Sequence, residues 1–304
     1  MVNCSIVEFK NYGRCVRIAN PKMELFVTID VGPRVIKCNL LGQENLMFVD
    51  EPRAVSEDVS SVFGAGKRWY ILGGHRLWLS PEDMPRTYYP DTEPVKYELT
   101  AGGAVFTPPP QAVNGLQHGM SIEMDPDEAK VKVTMSIQNL GEKPVTGAAW
   151  ALSVMDKRGV VIVPQPDEDT GLLANRTLML WAYTDMKDPR AIFGSKYLMV
   201  RQDPAVKEKF KFGINNTKKW AAYANHGQLF IKRFEPNHPA GNYPDNGCSC
   251  EVFTNEHFAE CETLSELHTL AHGQTLTHTE NWELRACEMP EWSEAGAEAA
   301  TKGI

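Results

Sequence analysis

FAECETLSELHTLAHGQTLTHTENWEL, residues 258–284, decides the fold. Two runs of period-two alternation flank a tight turn at Ala271–His272–Gly273–Gln274, the pattern of antiparallel strands joined by a short connection. In the first run Phe258, Glu260, Glu262 and Leu264 share one face, while Ala259, Cys261 and Thr263 share the other. In the second, Leu276, His278, Glu280, Trp282 and Leu284 fall together, and their large apolar members turn that face toward a core. His278 and Glu280 are then buried and need a polar partner, and a structural pair accounts for them more simply than chemistry does.

The same alternation recurs in ELFVTID (24–30), VKVTMSI (131–137), TLMLWAY (177–183) and LFIKRF (229–234). Turn clusters separate such runs: AGG (101–103), DPDE (125–128), LGEKP (140–144) and ANHGQ (224–228). Helical signals are confined to short stretches near 52–60 and 204–209. The chain contains no G-x-G-x-x-G after a strand, no P-loop and no G-x-S-x-G, which removes the usual nucleotide and hydrolase signatures. The expectation is an all-β sandwich of two large antiparallel sheets with few short helices. It forms a single domain over 1–292, followed by a disordered or loosely attached tail, SEAGAEAATKGI (293–304).

Of the 304 residues, 42% are apolar and 23% charged, as in a soluble globular chain. The net charge of −8, with no cluster of Lys and Arg, argues against nucleic-acid binding. No apolar run approaches the ~18 residues of a membrane span, and MVNCSIVEFKNYGR lacks the apolar core of a secretory signal, so a cytoplasmic protein is expected. Seven scattered cysteines fit reduced thiols. The Cys248-Ser249-Cys250 pair has no matching second cluster, and no metal is expected.

Chemistry concentrates in a few places. Glu260 and Glu262 share a strand face with large apolar residues. Burial and mutual repulsion would raise a carboxyl there toward neutrality, as a general acid or base requires; a solvent-facing pair would need no such account. In YILGGHRLWLSPED (70–83), a forked donor (Arg76), a proton carrier (His75) and a flat platform (Trp78) crowd beside Gly73 and Gly74. Sugars call for such a mixture, because a pyranose ring has hydroxyl rims and C–H faces. RTYYPD (86–91) and WAYTDMKDPR (181–190) combine aromatic, acidic and basic residues; each is either a binding loop, through Tyr89, Trp181 and Arg190, or a packed loop whose Asp and Arg pair.

The order LGGHRLWLSPE (72–82), NLGEKPVTGAAWALSVM (139–155), NRTLMLWAYTDMKDPR (175–190), NYPDNGCSCEVFTN (242–255) and AECETLSELHTLAHGQTLTHTENWEL (259–284) resembles an uncharacterised group of galactose-mutarotase-like proteins. The resemblance spans about residues 14–286 and implies the β-supersandwich of the aldose 1-epimerases. In those enzymes a glutamate just before a turn and a final strand takes the anomeric hydroxyl proton, which implies Glu262, with Glu260 second. The LGGHRLW segment is similar to their sugar-contacting loop, which points to His75 and Arg76. Trp150 stands about where the epimerases carry the histidine that protonates the ring oxygen, and a tryptophan cannot act as that acid.

Together these observations imply a carbohydrate-binding protein, an epimerase or mutarotase acting at or near the anomeric carbon without a cofactor. Glu262, His75 and Glu260 are the catalytic candidates. Arg76, Trp78, Tyr89, Trp150, Trp181, Arg190, Tyr243 and Asp245 are the substrate-binding candidates. The partner is a small sugar or glycan, with Arg76, Arg86 and Arg190 suited to a phosphate if they converge. The rivals are a non-catalytic sugar sensor, motivated by Trp150, and a polysaccharide lyase; oligomeric state is left open.

Overall fold

The computed structural model describes residues 1–84, 86–235 and 240–304. Among these, two large antiparallel sheets pack face to face, as the alternation predicts. The larger runs, in spatial order, Asn3–Glu8 (β1), Arg14–Ala19 (β2), Met23–Thr28 (β3), Val35–Leu40 (β4), Gly74–Ser80 (β7), Val145–Met155 (β12), Ala259–Leu264 (β21), Cys250–Thr254 (β20), Phe210–Ile214 (β17) and Met179–Leu180 (β14). His268–Leu270 (β22) pairs with the start of β12. The second runs Ala191–Phe193 (β15), Tyr197–Arg201 (β16), Val160–Pro164 (β13), Trp220–Asn225 (β18), Gln228–Phe234 (β19), Thr275–Ala286 (β23), Lys130–Asn139 (β11), Leu116–Met124 (β10), Gly103–Thr107 (β9) and Lys96–Thr100 (β8). A small ribbon of Ser56–Asp58 (β5) and Arg68–Tyr70 (β6) stands over the larger sheet near β7.

Alternation builds the core. Ala149, Ala151, Cys261, Phe210 and Phe212 point inward from the larger sheet against Val131, Val133, Phe230 and Trp282 of the second, in one continuous buried cluster. Each large apolar side chain buried there contributes about 1.5–3 kcal/mol. β23 buries Leu276, His278, Glu280, Trp282 and Leu284 and leaves the residues between them exposed or half-buried, the predicted register. The charge it buries is paired. Lys232 Nζ lies 3.0 Å from Glu280 Oε1, the Thr263 hydroxyl donates to the same oxygen (2.5 Å), and Trp282 Nε1–H donates to Oε2 (2.7 Å). His278 Nε2 lies 2.7 Å from that hydroxyl.

Two expectations are corrected. TLMLWAY contributes only Met179 and Leu180 as an edge strand; the chain then leaves the sheet in turns, and Leu178 and Leu180 stay more than one-third exposed at an edge where no further strand pairs among the described residues. The tail is not loose. Glu294–Ala300 (α3) is capped by Ser293, whose hydroxyl accepts from Gly296 N–H. The Glu294 carboxylate accepts from the Lys196 and Tyr197 N–H groups at 2.6 and 3.0 Å. Ala297 is fully buried against Val160, Ile162 and Met199, so the small side chains that read as disorder allow close docking. The other helices of the described residues are single turns, Ser60–Phe63 (α1), Pro244–Gly247 (α2) and the 3-10 turns Lys10–Tyr12 and Ala240–Asn242; 204–209 forms turns only. No helix of the described residues is long and apolar enough to cross a membrane.

Candidate functional site

The outer face of the larger sheet carries the chemistry. Across β7, β12, β21 and β20 the register aligns Arg76, Leu152, Glu262 and Glu251 in one row, and Trp78, Trp150 and Leu264 in the next. Behind them Val154, Glu260, Phe253 and Lys211 form a third row. Above this floor lies a cleft of about 270 Å³, lined among others by Trp69, Arg76, Tyr88, Trp181, Lys211 and Glu260. Buried Trp69, Trp78 and Trp150 form its base; half-buried Tyr88, Trp181 and Phe253 and exposed Tyr183 form its rim. The rings interlock, with Trp78 centroids 5.5 Å from Trp150, 5.4 Å from Trp69 and 4.9 Å from Tyr88.

Arg76 lies over the Trp78 ring, its guanidinium carbon 4.1 Å from the centroid, and donates through Nη2 to Glu260 Oε1 at 3.2 Å. Glu260 is 7% exposed. Burial, opposed by Arg76 and reinforced by the charge of Glu262, raises its pKa to about 7. The carboxyl therefore exchanges a proton near neutrality.

Glu262 is more deeply placed. It is fully buried, accepts from Trp150 Nε1–H at 2.7 Å and from Lys211 Nζ at 3.2 Å, and does not border the cleft. Lys211 also sits 2.7 Å from Glu251 Oε2 and over the rings of Trp150 and Trp181, at 4.7 and 4.6 Å. Burial works against its charge, yet Glu251 and Glu262 hold its pKa well above the usual lysine value. Burial, with repulsion from Glu262 and Asp245 against the pull of Lys211, lifts Glu251 well above the carboxylate range. Gly213, opposite Glu251 on β17, leaves the space these groups fill; a Cβ there would lie 2.4 Å from Cys248 Sγ and 3.2 Å from Glu251 Cγ.

Several sequence candidates lie elsewhere. His75 is the main correction. It alternates with Arg76 along β7, so when Arg76 faces the cleft His75 faces the core, and the two cannot serve one site. Its Nδ1 lies 2.9 Å from Ser153 Oγ and its Nε2 3.1 Å from Met135 Sδ, with the ring edge-on to Trp282. Burial, chiefly, drives its pKa to about 3, so it is neutral and cannot donate to a sugar on the other side of the sheet. Gly73 and Gly74 are accounted for by close backbone approach: with φ of +99° and +68°, a Cβ would lie 2.0 Å from the Phe48 carbonyl and 2.5 Å from that of Val35.

Tyr89 lines a different pocket, and its neighbour Tyr88 takes the cleft position. Arg190 is buried, forked onto Asp188 (Nε 3.1 Å, Nη2 2.8 Å) and donating to the Glu208 carbonyl, the packed-loop alternative. Tyr243 is buried and Asp245 sits in a left-handed turn; neither lines the cleft. The structure brings Arg76, Trp78, Trp150, Trp181 and Glu260 together, with Glu262 beneath. Sequence reasoning missed Lys211, Glu251 and Trp69. Lys211 in FKFGI was legible as the one charge in an apolar strand; Trp69 lies on a three-residue strand too short to reveal its face.

This is a galactose mutarotase-like fold. A galactose mutarotase-like protein from Clostridium acetobutylicum superposes with a TM-score of 0.56 at 10% identity, over 94% of this chain and 99% of that one. One from Lactobacillus casei gives 0.57 at 10% identity, over 89% and 100%. A galactose mutarotase related enzyme from Lactobacillus acidophilus gives 0.52 at 8% identity, over 90% and 97%. Such identities carry the fold and leave the activity to be argued from the site. No family model and no curated protein matches the sequence.

Proposed function

We propose that the cleft binds a small sugar and that the protein interconverts its anomers there, with Glu260 as the proton-transferring group. The observation that carries this reading is a carboxyl with a pKa near 7, gripped by Arg76 and set among aromatic rings. Trp181 and Tyr88 present rim faces on which a pyranose stacks. Glu260 takes the O1 proton, C1=O1 forms as the C1–O5 bond breaks, and O5 takes a proton from the Lys211 ammonium, which regains it when the ring closes. Rotation about C1–C2 and attack of O5 on the other face reverse these steps. Arg76 positions Glu260. Lys211, which lines the cleft together with Lys209, offsets the negative charge that develops on O5. Seven free cysteines are in keeping with a reducing, cytoplasmic setting.

The test is NMR exchange spectroscopy of a panel of neutral, acidic and phosphorylated aldoses with the purified protein. Acceleration of anomer exchange for at least one sugar, abolished in Glu260→Gln, is expected. Unchanged exchange across the panel refutes catalysis. A second reading, a sugar-binding protein without turnover, is favoured by the inward position of His75, which leaves no imidazole at the cleft among the described residues. Calorimetric sugar binding without exchange would select it.

A further inference from the structure

At Leu77 and Trp78 of β7, the second of which also forms the base of the cleft, a smaller pocket is lined by Pro33, Arg34, Asp91, Pro108, Gln111 and His118, among others. Arg34 is 3% exposed, and only one end of its guanidinium is used. Nη1 lies 2.5 Å from Asp91 Oδ2 and 3.1 Å from the Pro33 carbonyl. Nε and Nη2 are buried and have no partner among the described residues. These two N–H groups lie on the same edge of the guanidinium, the edge by which Arg14 grips Asp30 in this molecule. It is the fork that matches two oxygens of one oxyanion.

A third donor is present. His118 Nδ1 faces the Gln111 amide nitrogen at 3.5 Å, and as the acceptor it leaves the ring proton on Nε2, which is buried and unpaired among the described residues. Burial first, then the charge of Arg34, holds this imidazole neutral, with a pKa of about 4. The donors are fixed in place. Arg34 N–H donates to Thr28 Oγ1 (2.9 Å), Gly32 N–H to the Asp91 carbonyl (2.9 Å), and Val95 N–H to the Ile29 carbonyl (2.8 Å). Leaving three buried donors unpaired is expensive, about 1–3 kcal/mol each, so the pocket is built for an acceptor.

We infer that this pocket is a second ligand site, adjoining the sugar cleft at Trp78 but with its own donors, and that it takes the carboxylate of a small organic acid. Size and charge select the group. The enclosed space is about 40 Å³. That is roughly three times the minimum for one water, and so matches the three heavy atoms of a carboxylate. Asp91 already balances the charge of Arg34, and Glu93 also lines the pocket, which disfavours a dianionic phosphate; a singly charged carboxylate is held by the hydrogen bonds of the fork and not by excess positive charge. Pro33, Pro108, Pro109 and Leu77 give an apolar surround to the carbon part of the ligand. Gln111 and His118 also line an adjoining, more open space of about 330 Å³, which offers the way in.

Calorimetry on the full chain tests this, with acetate, pyruvate and benzoate as probes and phosphate and sulfate as comparison anions. At least one carboxylate is expected to bind saturably, one per chain, with a Kd below about 10 mM. Arg34→Lys, which keeps the charge beside Asp91 and removes the fork, weakens it at least tenfold. His118→Phe weakens it severalfold, and Glu260→Gln leaves it unchanged, so the result is independent of the cleft reading. If Arg34→Lys fails to fold, the Arg34 Nε–H resonance of the wild-type protein, shifting on carboxylate titration, serves instead. No carboxylate binding in that range, tighter binding of phosphate or sulfate, or an unaffected Arg34→Lys overturns the proposal and leaves a hydrated pocket.

Discussion

Replacing Arg76 by methionine keeps an apolar stem against Trp78 and removes the charge that restrains Glu260. Opposite charges 3.2 Å apart attract by about 5 kcal/mol at an effective dielectric of ~20, an upper figure. Neighbouring charges in folded proteins move carboxyl pKa values by about 1–3 units. The Glu260 midpoint, about 7 in the native protein, therefore rises to about 8–10 in Arg76→Met. With a rise of about two units, the ionised fraction at pH 7.5 falls from about three-quarters to about 3%, and kcat/KM for anomer exchange falls about 25-fold, recovering as the pH is raised. Carbon-13 NMR of glutamate-labelled protein, with Glu260→Gln to assign the signal, reads the midpoint directly. Glu262→Gln gives the opposite sign, because the charge of Glu262 helps to raise Glu260. A midpoint in Arg76→Met that stays within about 0.3 unit of the native value, or falls, refutes the electrostatic account of the site.

In Glu280→Gln the Lys232 ammonium loses its buried counter-ion, a loss of about 3–5 kcal/mol. Spread over 304 residues, this lowers Tm by about 5–8 °C in scanning calorimetry, and a change under about 1 °C contradicts the pairing. On acidification three groups act together. His75 and His278, held to about 3 and 4, contribute stability that is present above their unfolded pKa of about 6.5 and lost as pH falls toward those values. Glu280, lowered to about 2, contributes stability present above about 4.5 and lost as pH falls through 2. Glu260 has the reverse sign, stabilising below about 4.5 and losing that contribution as pH rises through 7. Urea unfolding from pH 7 to 4.5 should therefore show Glu260→Gln losing about 2–3 kcal/mol more than the native chain, and equal losses would refute the raised pKa.

The architecture was legible because alternation has one physical meaning wherever a strand has a core on one side. In β23 it separated core residues from outward ones correctly, and in β21 it divided the two faces correctly without saying that both are buried. The same rule, applied to GHRLWLS, would have parted His75 from Arg76; treating the segment as a loop hid this. Trp150 was recognised as standing in place of an acid, but its donation to Glu262 depends on a cross-strand register that no single strand discloses. Arg190 was left between two meanings, since an Asp two residues away is equally compatible with a site and with a structural fork. The tail was misread because small residues are common to disorder and to tight docking.

β21 has obligations on both sides. Toward the cleft it holds Glu260 and Glu262; toward the core its Thr263 hydroxyl and Cys261 carbonyl serve Glu280 and Lys232, at 2.5 and 2.9 Å. A new ligand preference can therefore scarcely arise by altering this strand, since any change to its backbone position disturbs two ionic networks at once. Divergence has freer ground at the rim, where Tyr88, Trp181 and Tyr183 stand outside the regular strands, Tyr88 and Trp181 touching the floor through ring contacts, and take no part in the ionic network of Glu280 and Lys232. Selection acting on this molecule would keep the floor and rewrite the margin, and a library randomised at those three positions is where altered sugar choice should first be sought.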